Sequence, residues 1–247
     1  MILRHLPSRF SVLFLALFPL ILSSPPSLGG GFDEQLVVQL ARSAPNLDPG
    51  VLRSAVRASR CAVSTGVEAP ERLAVIDFSL PSSEERMWIF DLSEQKLMFR
   101  ELVAHGKNSG MTTATDFSNV LNSYQSSIGL FRASESYFGK HGYSLRLDGL
   151  ETGINDRARE RAIVIHGADY VDPSWVSAHG RIGRSHGCPA VRQGVIKNVV
   201  DNLKGGQLVF KYYPDQKWLQ SSRFLNCDEG KILSSAGASE AGSRRVL

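Results

Sequence analysis

The chain has 247 residues, of which 43% are hydrophobic and 21% charged, which suits one well-packed domain with a small appendage. Its formal net charge is +4, but residues 1–28 contain Arg4 and Arg9 and no acidic residue. The remainder therefore holds 26 basic against 24 acidic residues, a net charge of only +2. Because the basic residues are scattered and form no dense run with interleaved aromatics, the composition argues against nucleic acid as a partner.

The first 31 residues have the pattern of a secretory signal. Three basic residues precede the apolar run Phe10–Leu22, and residues 23–31 are small and rich in Pro and Gly. The run has 13 residues, fewer than the ~20 that a membrane-spanning helix needs. We predict that residues 1–31 are a signal peptide or N-terminal anchor and that the protein is exported to the periplasm or cell envelope. Contact with the membrane is then expected only through this segment, if it is retained.

Residues 32–66 have the spacing of a helical extension. Apolar residues recur at helical intervals over Phe32–Leu40 and Pro49–Val63, and Asp48 with Pro49 offers a cap and first turn for the second helix. The main domain then runs over residues 67–227. Residues 228–247 are rich in Ser, Ala and Gly and are predicted to be disordered.

The main domain is predicted to be mostly β with helices, an α+β fold. Six short runs rich in apolar and β-branched residues are candidate strands: Leu73–Phe78, Met87–Leu92, Leu97–His105, Ser144–Leu147, Ala162–His166 and Gln207–Tyr213. Helices are predicted over Asn155–Arg161 and about Val191–Leu203.

Three cysteines in an exported protein leave at least one thiol unpaired. Cys61 and Cys227 lie near the two ends of the presumed domain, whereas Cys188 lies in the most informative stretch of the chain. In an oxidising compartment Cys61 and Cys227 could form a disulfide and leave Cys188 free.

That stretch is Ser185-His186-Gly187-Cys188. A thiol attacks well at neutral pH only where its thiolate is favoured, and an adjacent glycine lets backbone N–H groups turn toward an oxyanion. The apolar run 163–165 delivers His166 to the end of a strand, 22 residues before Cys188. The helix predicted after Pro189 would lower the thiol pKa through its dipole. The plain alternative is a turn cysteine beside a surface histidine.

Five of the six histidines precede glycine, which favours tight turns at strand ends. We therefore expect His141 and His179 to mark turns rather than a catalytic site.

The chain resembles the L,D-transpeptidase catalytic domain (YkuD-like) of bacterial cell-wall enzymes, and more closely its murein L,D-transpeptidase-like branch. The specific motif is residues 180–191, Gly-Arg-Ile-Gly-Arg-Ser-His-Gly-Cys-Pro-Ala-Val, and residues 75–78, 103–110 and 142–147 support it. The likeness covers roughly residues 45–227. It implies a β-sandwich or barrel domain carrying the short N-terminal helical extension.

The resemblance also implies roles for the site residues. Cys188 matches the family's nucleophile, and His166 matches its general base, followed by Gly167 as in many members. Ser185 belongs to the signature before the thiol. His186 is assigned to orientation or electrostatics because that position tolerates other residues in the family.

Two further features concern substrate contacts. Backbone N–H groups of Gly187 and Cys188 are expected to form the oxyanion hole. Many members place Arg or Asn two residues after the cysteine, where this chain has Ala190. Arg192, with Arg184, could bind a substrate carboxylate instead, or be a solvated arginine.

The implied reaction is acyl transfer on peptidoglycan stem peptides through a thioester on Cys188, with no metal or organic cofactor. The acceptor could be an amine of another stem, a lipoprotein lysine, or water, the last giving a carboxypeptidase.

Three rival interpretations remain open from the sequence. A zinc-dependent wall hydrolase could take ligands from His166, His179, His186 and Cys188, although their spacing matches no recognised zinc pattern. A sortase-like transpeptidase usually has its histidine farther upstream and a threonine before the cysteine. A non-catalytic cell-wall-binding relative would retain the motif without turnover.

Overall fold

The structure, a computed structural model, describes residues 28–227. The predicted signal segment up to residue 27 and the predicted disordered tail from residue 228 lie outside the described residues. The described part has five helices, α1 Leu28–Ser43, α2 Pro49–Ser64, α3 Pro173–His179, α4 Ile196–Leu203 and α5 Gln216–Ser221. Its eight strands are β1 Arg72–Asp77, β2 Glu85–Asp91, β3 Lys96–Leu102, β4 Gly129–Gly139, β5 Gly142–Gly149, β6 Val164–Ala168, β7 Ala190–Arg192 and β8 Gln207–Tyr212.

All eight strands belong to one sheet in the order β3-β2-β1-β8-β4-β5-β6-β7. The pairs β1–β8 and β6–β7 are parallel, and the other five pairs are antiparallel. Most residues of the central strands β1 and β8 are buried, so both faces of the sheet are covered there. This mostly β architecture with helices agrees with the predicted fold class.

The two edges of the sheet meet, so that the sheet is a nearly closed barrel. Just beyond β3, the N–H of Ala104 donates to the carbonyl of Ala190 on β7 at 2.8 Å. The guanidinium of Arg192 on β7 also binds the carboxylate of Glu101 on β3. The loop that carries Cys188 therefore enters β7 at the seam of the barrel.

The two predicted N-terminal helices are present and pack on the sheet. The Asp48 side chain caps α2 by accepting from the N–H groups of Gly50 and Val51. The buried face of α2, including Cys61, joins the same hydrophobic core as the central strands. Cys61 is disulfide-bonded to Cys227, with a Cα–Cα distance of 6.1 Å, and Cys188 is a free cysteine, as predicted.

The helix predicted over Asn155–Arg161 is wrong, since this segment is a series of turns. The Asn155 side chain explains why: its Oδ1 accepts from the N–H of Glu151, and its Nδ2 donates to the carbonyls of Ile128 and Leu130. An asparagine that binds backbone groups in this way favours turns over helix.

The helix predicted from Val191 to Leu203 is wrong in its first half. Residues 190–192 form β7 beside β6, and α4 begins only at Ile196. Four elements were not predicted from the sequence, namely the strands β4 and β7 and the helices α3 and α5. Among residues 28–227, no helix is both long and apolar enough to cross a membrane.

Candidate active site

His166 lies in the middle of β6, next to the chain that follows Cys188. Its Cα partner on β7 is Ala190, and its N–H donates to the carbonyl of Pro189 at 3.4 Å. The predicted buried strand is present and His166 is only 4% exposed, but the residue lies in the middle of β6 and not at a strand end as predicted. The pairing of β6 with β7 places His166 opposite Ala190, two residues after Cys188, although His166 and Cys188 are 22 residues apart in sequence.

The imidazole of His166 is held in one orientation by its own neighbour. Nδ1 lies 2.8 Å from the carbonyl oxygen of Gly167, and since a carbonyl only accepts, Nδ1 carries the proton. Nε2 is then left as the basic nitrogen. Burial lowers the pKa of His166, and nearby His141 and Lys140 act in the same direction, so the neutral imidazole persists to lower pH than in water.

His141 stacks on His166, with ring centroids 4.4 Å apart and an angle of 24° between the rings. His141 lies in the turn between β4 and β5, so this hairpin end covers one face of the candidate base. Burial lowers the pKa of His141 as well, with Lys140 and His186 contributing. The sequence predicted only that His141 marks a turn, and its stacking on His166 was not predicted.

The loop before Cys188 is fixed by the hydroxyl of Ser185. Oγ donates to the carbonyl of Cys188 at 2.6 Å and accepts the N–H of Gly187 at 3.1 Å, which closes a tight turn. The backbone of Ser185 is bound to the segment after β3: its N–H donates to His105 O, and its carbonyl accepts from Lys107 N. Ser185 is buried, as a structural hydroxyl should be.

Gly187 needs to be glycine for two reasons. Its φ is +113°, which side chains rarely adopt, and a Cβ there would lie 2.6 Å from the carbonyl oxygen of Gln125. Its own carbonyl accepts from the buried hydroxyl of Ser126. The N–H of Gly187, expected in the oxyanion hole, is instead bound to Ser185.

The Cys188 thiol is partly buried, and its S–H donates to the carbonyl of Ala162 at 3.6 Å. Burial raises the pKa of this thiol. The prediction that a helix dipole lowers the pKa of Cys188 is wrong, because the strand β7, and not a helix, follows this cysteine. The N–H of Val164 and the charges of Lys211, Arg161 and Lys140 act in the opposite direction and lower the thiol pKa.

A cavity of about 420 Å³ opens beside the candidate base. Its walls include His166, His141 and Tyr170, and its rim carries Lys140 and Asp169. Burial, with a contribution from Cys188, raises the pKa of Tyr170 to about 12, so its phenol stays protonated and can donate a hydrogen bond.

The remaining predicted site residues have other partners. Arg192 is engaged by Glu101, with contacts of 2.6 and 2.8 Å. Arg184 donates through Nη1 to the carbonyls of Lys107 and Gly110. His186 is exposed and its ring contacts that of Tyr124, at 4.6 Å between centroids.

Within residues 28–227, no group of three or more His, Cys, Asp or Glu side chains is arranged to hold a metal ion. His166, His179, His186 and Cys188 are all described, so the zinc alternative lacks a ligand set there. His179 instead ends α3, where its ring contacts Trp175.

Sequence reasoning missed Tyr170, Lys140 and Asp169 as cavity residues. Lys140 and Asp169 each lie one or two residues from a His-Gly pair, which is the signal that could have drawn attention to them. Tyr170 carries no signal of that kind.

The family profile for the L,D-transpeptidase catalytic domain matches residues 43–212 of this chain. No curated protein matches this chain. Solved structures that it is similar to include an L,D-transpeptidase from Mycobacterium smegmatis, at 15% identity over 58% of this chain and 59% of that one, with a TM-score of 0.36. Another is an L,D-transpeptidase from Mycobacterium tuberculosis H37Rv, at 13% identity over 59% of each chain, with a TM-score of 0.35.

An L,D-transpeptidase from Stackebrandtia nassauensis matches at 13% identity over 72% of this chain and 76% of its own, with a TM-score of 0.36. The match spans about 59% of the length of the Mycobacterium smegmatis chain, less than two thirds of it.

Proposed function

This chain belongs to the L,D-transpeptidase catalytic-domain family, and on that premise we propose that it is a cysteine acyl transferase of peptidoglycan stem peptides. Cys188 is the nucleophile and His166 the general base. The observation that carries the proposal is the pairing of β6 with β7, which puts a histidine with a fixed tautomer beside the segment that follows the thiol. Nucleophilic catalysis needs a neutral imidazole nitrogen within reach of the thiol, and in this proposal His166 Nε2 takes that role for Cys188.

In the first step His166 Nε2 takes the proton of the Cys188 thiol, and Sγ forms a bond to the carbonyl carbon that joins a diamino-acid residue to the terminal D-alanine. The carbonyl oxygen becomes an oxyanion. When it collapses, the C–N bond breaks, the imidazolium returns the proton to the departing amine, and D-alanine leaves. The product is a thioester on Cys188.

In the second step an amine attacks the thioester and gives its proton to His166. The C–S bond breaks, Sγ leaves as the thiolate and is reprotonated, and a cross-link results. A lipoprotein lysine as the amine would attach that protein to the wall, and water in place of the amine would make the reaction a carboxypeptidation.

The Cys188 N–H is the oxyanion donor in this proposal. The N–H of Gly187, originally expected to share the role, stabilises the turn through Ser185 Oγ. His186 contributes to the electrostatic environment of His141 at the site entrance. Tyr170, protonated at neutral pH and lining the cavity, is a further donor for the substrate.

The cavity rim complements a stem peptide. Lys140 and Asp169 place a cation and an anion at the same cavity, and a diamino-acid residue carries both a carboxylate and an amine. Because Arg192 and Arg184 already bind other groups, we assign the substrate carboxylate to Lys140.

We also propose that residues 1–31 direct the protein to the periplasm or cell envelope, where its substrate lies. The helical extension 32–66 and the catalytic domain 67–227 then work there together, joined by the disulfide between Cys61 and Cys227.

The test is conversion of muropeptides from digested sacculi, analysed by mass spectrometry. The protein should release D-alanine and form cross-linked or shortened stems, and Cys188→Ala should abolish both. If Cys188→Ala converts muropeptides as fast as the wild type, the assignment of the nucleophile is wrong. If the wild type binds sacculi and converts nothing, the non-catalytic wall-binding alternative replaces the proposal.

A further inference from the structure

The backbone carbonyl of Ala162 is a polar neighbour of the Cys188 thiol that lies outside the cavity beside His166. Sγ of Cys188 donates its hydrogen to this oxygen at 3.6 Å, and Ala162 is an exposed residue. Among residues 28–227, no other group donates a hydrogen bond to the Ala162 carbonyl. Ala162 is also not among the described residues that line the cavity. The sulfur therefore has a second polar neighbour besides the groups on the side of the candidate base.

Ala162 has a strained backbone. It ends the turn segment that precedes β6, and its φ is +53°, in the left-handed region that favours glycine. The chain fixes this conformation, because the N–H of Ala162 donates to Arg159 O at 3.0 Å and the N–H of Ile163 donates to Ala158 O at 2.9 Å. Strained residues of this kind concentrate at functional sites, where the surrounding structure holds them in place. Here the strained residue is the one whose carbonyl contacts the candidate nucleophile.

The side chain of Arg161 holds this segment against the loop of residues 118–125. Its guanidinium donates to the carbonyl of Ser118, to the carbonyl of Gln125 at 2.6 Å and to the hydroxyl of Ser123 at 3.2 Å. A planar guanidinium with several fixed N–H groups suits a contact at three points, which an ammonium group does not reproduce. The position of Ala162, the next residue, is thus coupled to that of the loop.

The same loop packs against the turn that carries the nucleophile. The carbonyl oxygen of Gln125 lies so close to Gly187 that a Cβ on this glycine would be 2.6 Å from it. The next residue, Ser126, donates its hydroxyl hydrogen to the carbonyl of Gly187 at 3.3 Å. Arg161 and Ala162, neighbours in the chain, thus reach the nucleophile by two separate routes of contact.

The Ala162 carbonyl loses its donor when the proposed thioester forms. The hydrogen of Sγ passes to His166 and leaves with D-alanine, so the acylated sulfur has no hydrogen to donate. A carbonyl oxygen without a partner in a partly buried site is unfavourable, and it attracts the next N–H or O–H group that arrives. The acceptor amine brings such a group at the step that follows.

We propose that the Ala162 carbonyl binds the acceptor amine of the second step, and that Arg161 positions this carbonyl. This rests on the proposed function and assigns it one acceptor class, a primary amine. The neutral amine donates one N–H to Ala162 O, and its lone pair attacks the thioester carbon bonded to the neighbouring sulfur. Its other N–H proton passes to His166 Nε2, the C–S bond breaks, and Sγ leaves as the thiolate. The imidazolium then protonates Sγ, which donates to Ala162 O again.

An amine needs this positioning more than water does. Water is small and abundant, so it reaches the thioester carbon without a dedicated acceptor group. The amine of another stem is dilute and attached to a bulky chain, so the orientation of its lone pair determines the rate of attack. The carbonyl therefore favours cross-linking over hydrolysis of the same thioester.

The experiment measures the ratio of cross-linked to shortened stems by mass spectrometry after incubation with digested sacculi. Both products come from one thioester, so their ratio does not depend on how much of a variant is folded. Ala162→Val should lower the ratio about tenfold or more, because a β-branched residue disfavours a positive φ and the carbonyl turns away. Ala162→Gly adopts this φ without strain and should keep the ratio of the wild type.

Arg161→Met should lower the ratio by a similar factor, since it removes all three contacts with the loop. Arg161→Lys keeps the charge but not the planar fork, so its ratio should lie between those of Arg161→Met and the wild type. The matched control is Arg157→Met, because Arg157 is an exposed arginine of the same turn segment that pairs with Glu160. Its ratio should equal that of the wild type. A purely structural role of Arg161 would lower the yield of both products and leave their ratio unchanged.

Wild-type ratios in both Ala162→Val and Arg161→Met would overturn the proposal, and so would an equal decrease in Arg157→Met. A wild-type protein that forms only shortened stems would also overturn it, although the cysteine mechanism of the proposed function would stand. A wild-type protein that releases no D-alanine would contradict the proposed function itself, and the assignment of the acceptor with it.

Discussion

Arg192 and Glu101 form a bidentate ion pair across the seam of the barrel, with contacts of 2.6 and 2.8 Å between β7 and β3. The Glu101 side chain is only 6% exposed, so the carboxylate depends on this partner for its hydrogen bonds. The pair holds the strand that follows Cys188 against the opposite edge of the sheet. Arg192, a candidate substrate ligand from the sequence, therefore binds Glu101 in the structure.

Arg192→Met should therefore destabilise the protein by roughly 2 kcal/mol, because it leaves a nearly buried carboxylate without its donors. Urea unfolding measures the change. Arg132→Met removes an arginine from a more exposed ion pair with Asp148 and should cost less than ~1 kcal/mol. A large rise in KM with unchanged stability would instead identify Arg192 as a substrate ligand.

His141→Ala should shift the acid limb of activity to higher pH. Burial and His141 both hold the pKa of His166 below its ordinary value, so the wild-type base stays neutral as the pH falls. Without the stacked ring, water reaches His166, its pKa rises, and it becomes protonated at a higher pH. The profile of kcat/KM between about pH 5 and pH 8 shows the shift.

The control for this profile is His179→Ala, which removes a histidine whose ring contacts Trp175 on α3. Its acid limb should coincide with that of the wild type. An acid limb that stays in place, or moves to lower pH, in His141→Ala would refute the electrostatic role of the stack.

Ser185→Ala should slow the reaction about ten- to a hundredfold, mainly in kcat. The substitution leaves the Cys188 carbonyl and the Gly187 N–H without their shared partner, and a small displacement of a nucleophile is enough for such a loss. Steady-state kinetics gives the kcat and KM values. Ser177→Ala, on the exposed α3, should behave as the wild type. Equal kcat values for Ser185→Ala and the wild type would show that the hydroxyl does not position the thiol.

Reduction of the Cys61–Cys227 disulfide should lower the free energy of unfolding by about 4 kcal/mol, because the bridge closes a long loop with a sequence separation of 166 residues. Urea unfolding with and without reductant measures this loss. Thiol counting in denaturant should find one free thiol per chain before reduction and three after it. Three thiols before reduction would contradict the bridge.

Much of the fold follows from apolar runs, and six of the eight strands coincide with such runs. Strand β4 does not, because it carries Arg132, Ser134, Glu135 and Ser136 and its second half lies toward solvent. Strand β4 is stabilised by its pairing with β5 and β8, which its own sequence pattern does not predict. Strand β7 is only three residues long and exists because β6 lies beside it.

The site was predictable where chemistry is concentrated in a motif, as in the Ser185–Cys188 stretch, and where an apolar run leads to a histidine, as it does before His166. It was not predictable where side chains converge from distant parts of the chain. The sequence around Lys211 does not indicate that its side chain is buried, as it is in the structure. The thiol environment was also misjudged, since pairing of residues 190–192 overrode their helical pattern and removed the expected dipole.

The most direct test of the account is the intact mass of the protein after exposure to a carbapenem, a β-lactam that acylates activated thiols of this kind. We predict one covalent adduct per chain, located on Cys188 by peptide mapping, absent in Cys188→Ala and formed much more slowly in His166→Ala. An unchanged mass after long exposure, or an adduct on another residue, would contradict the claim that Cys188 is an activated nucleophile served by His166.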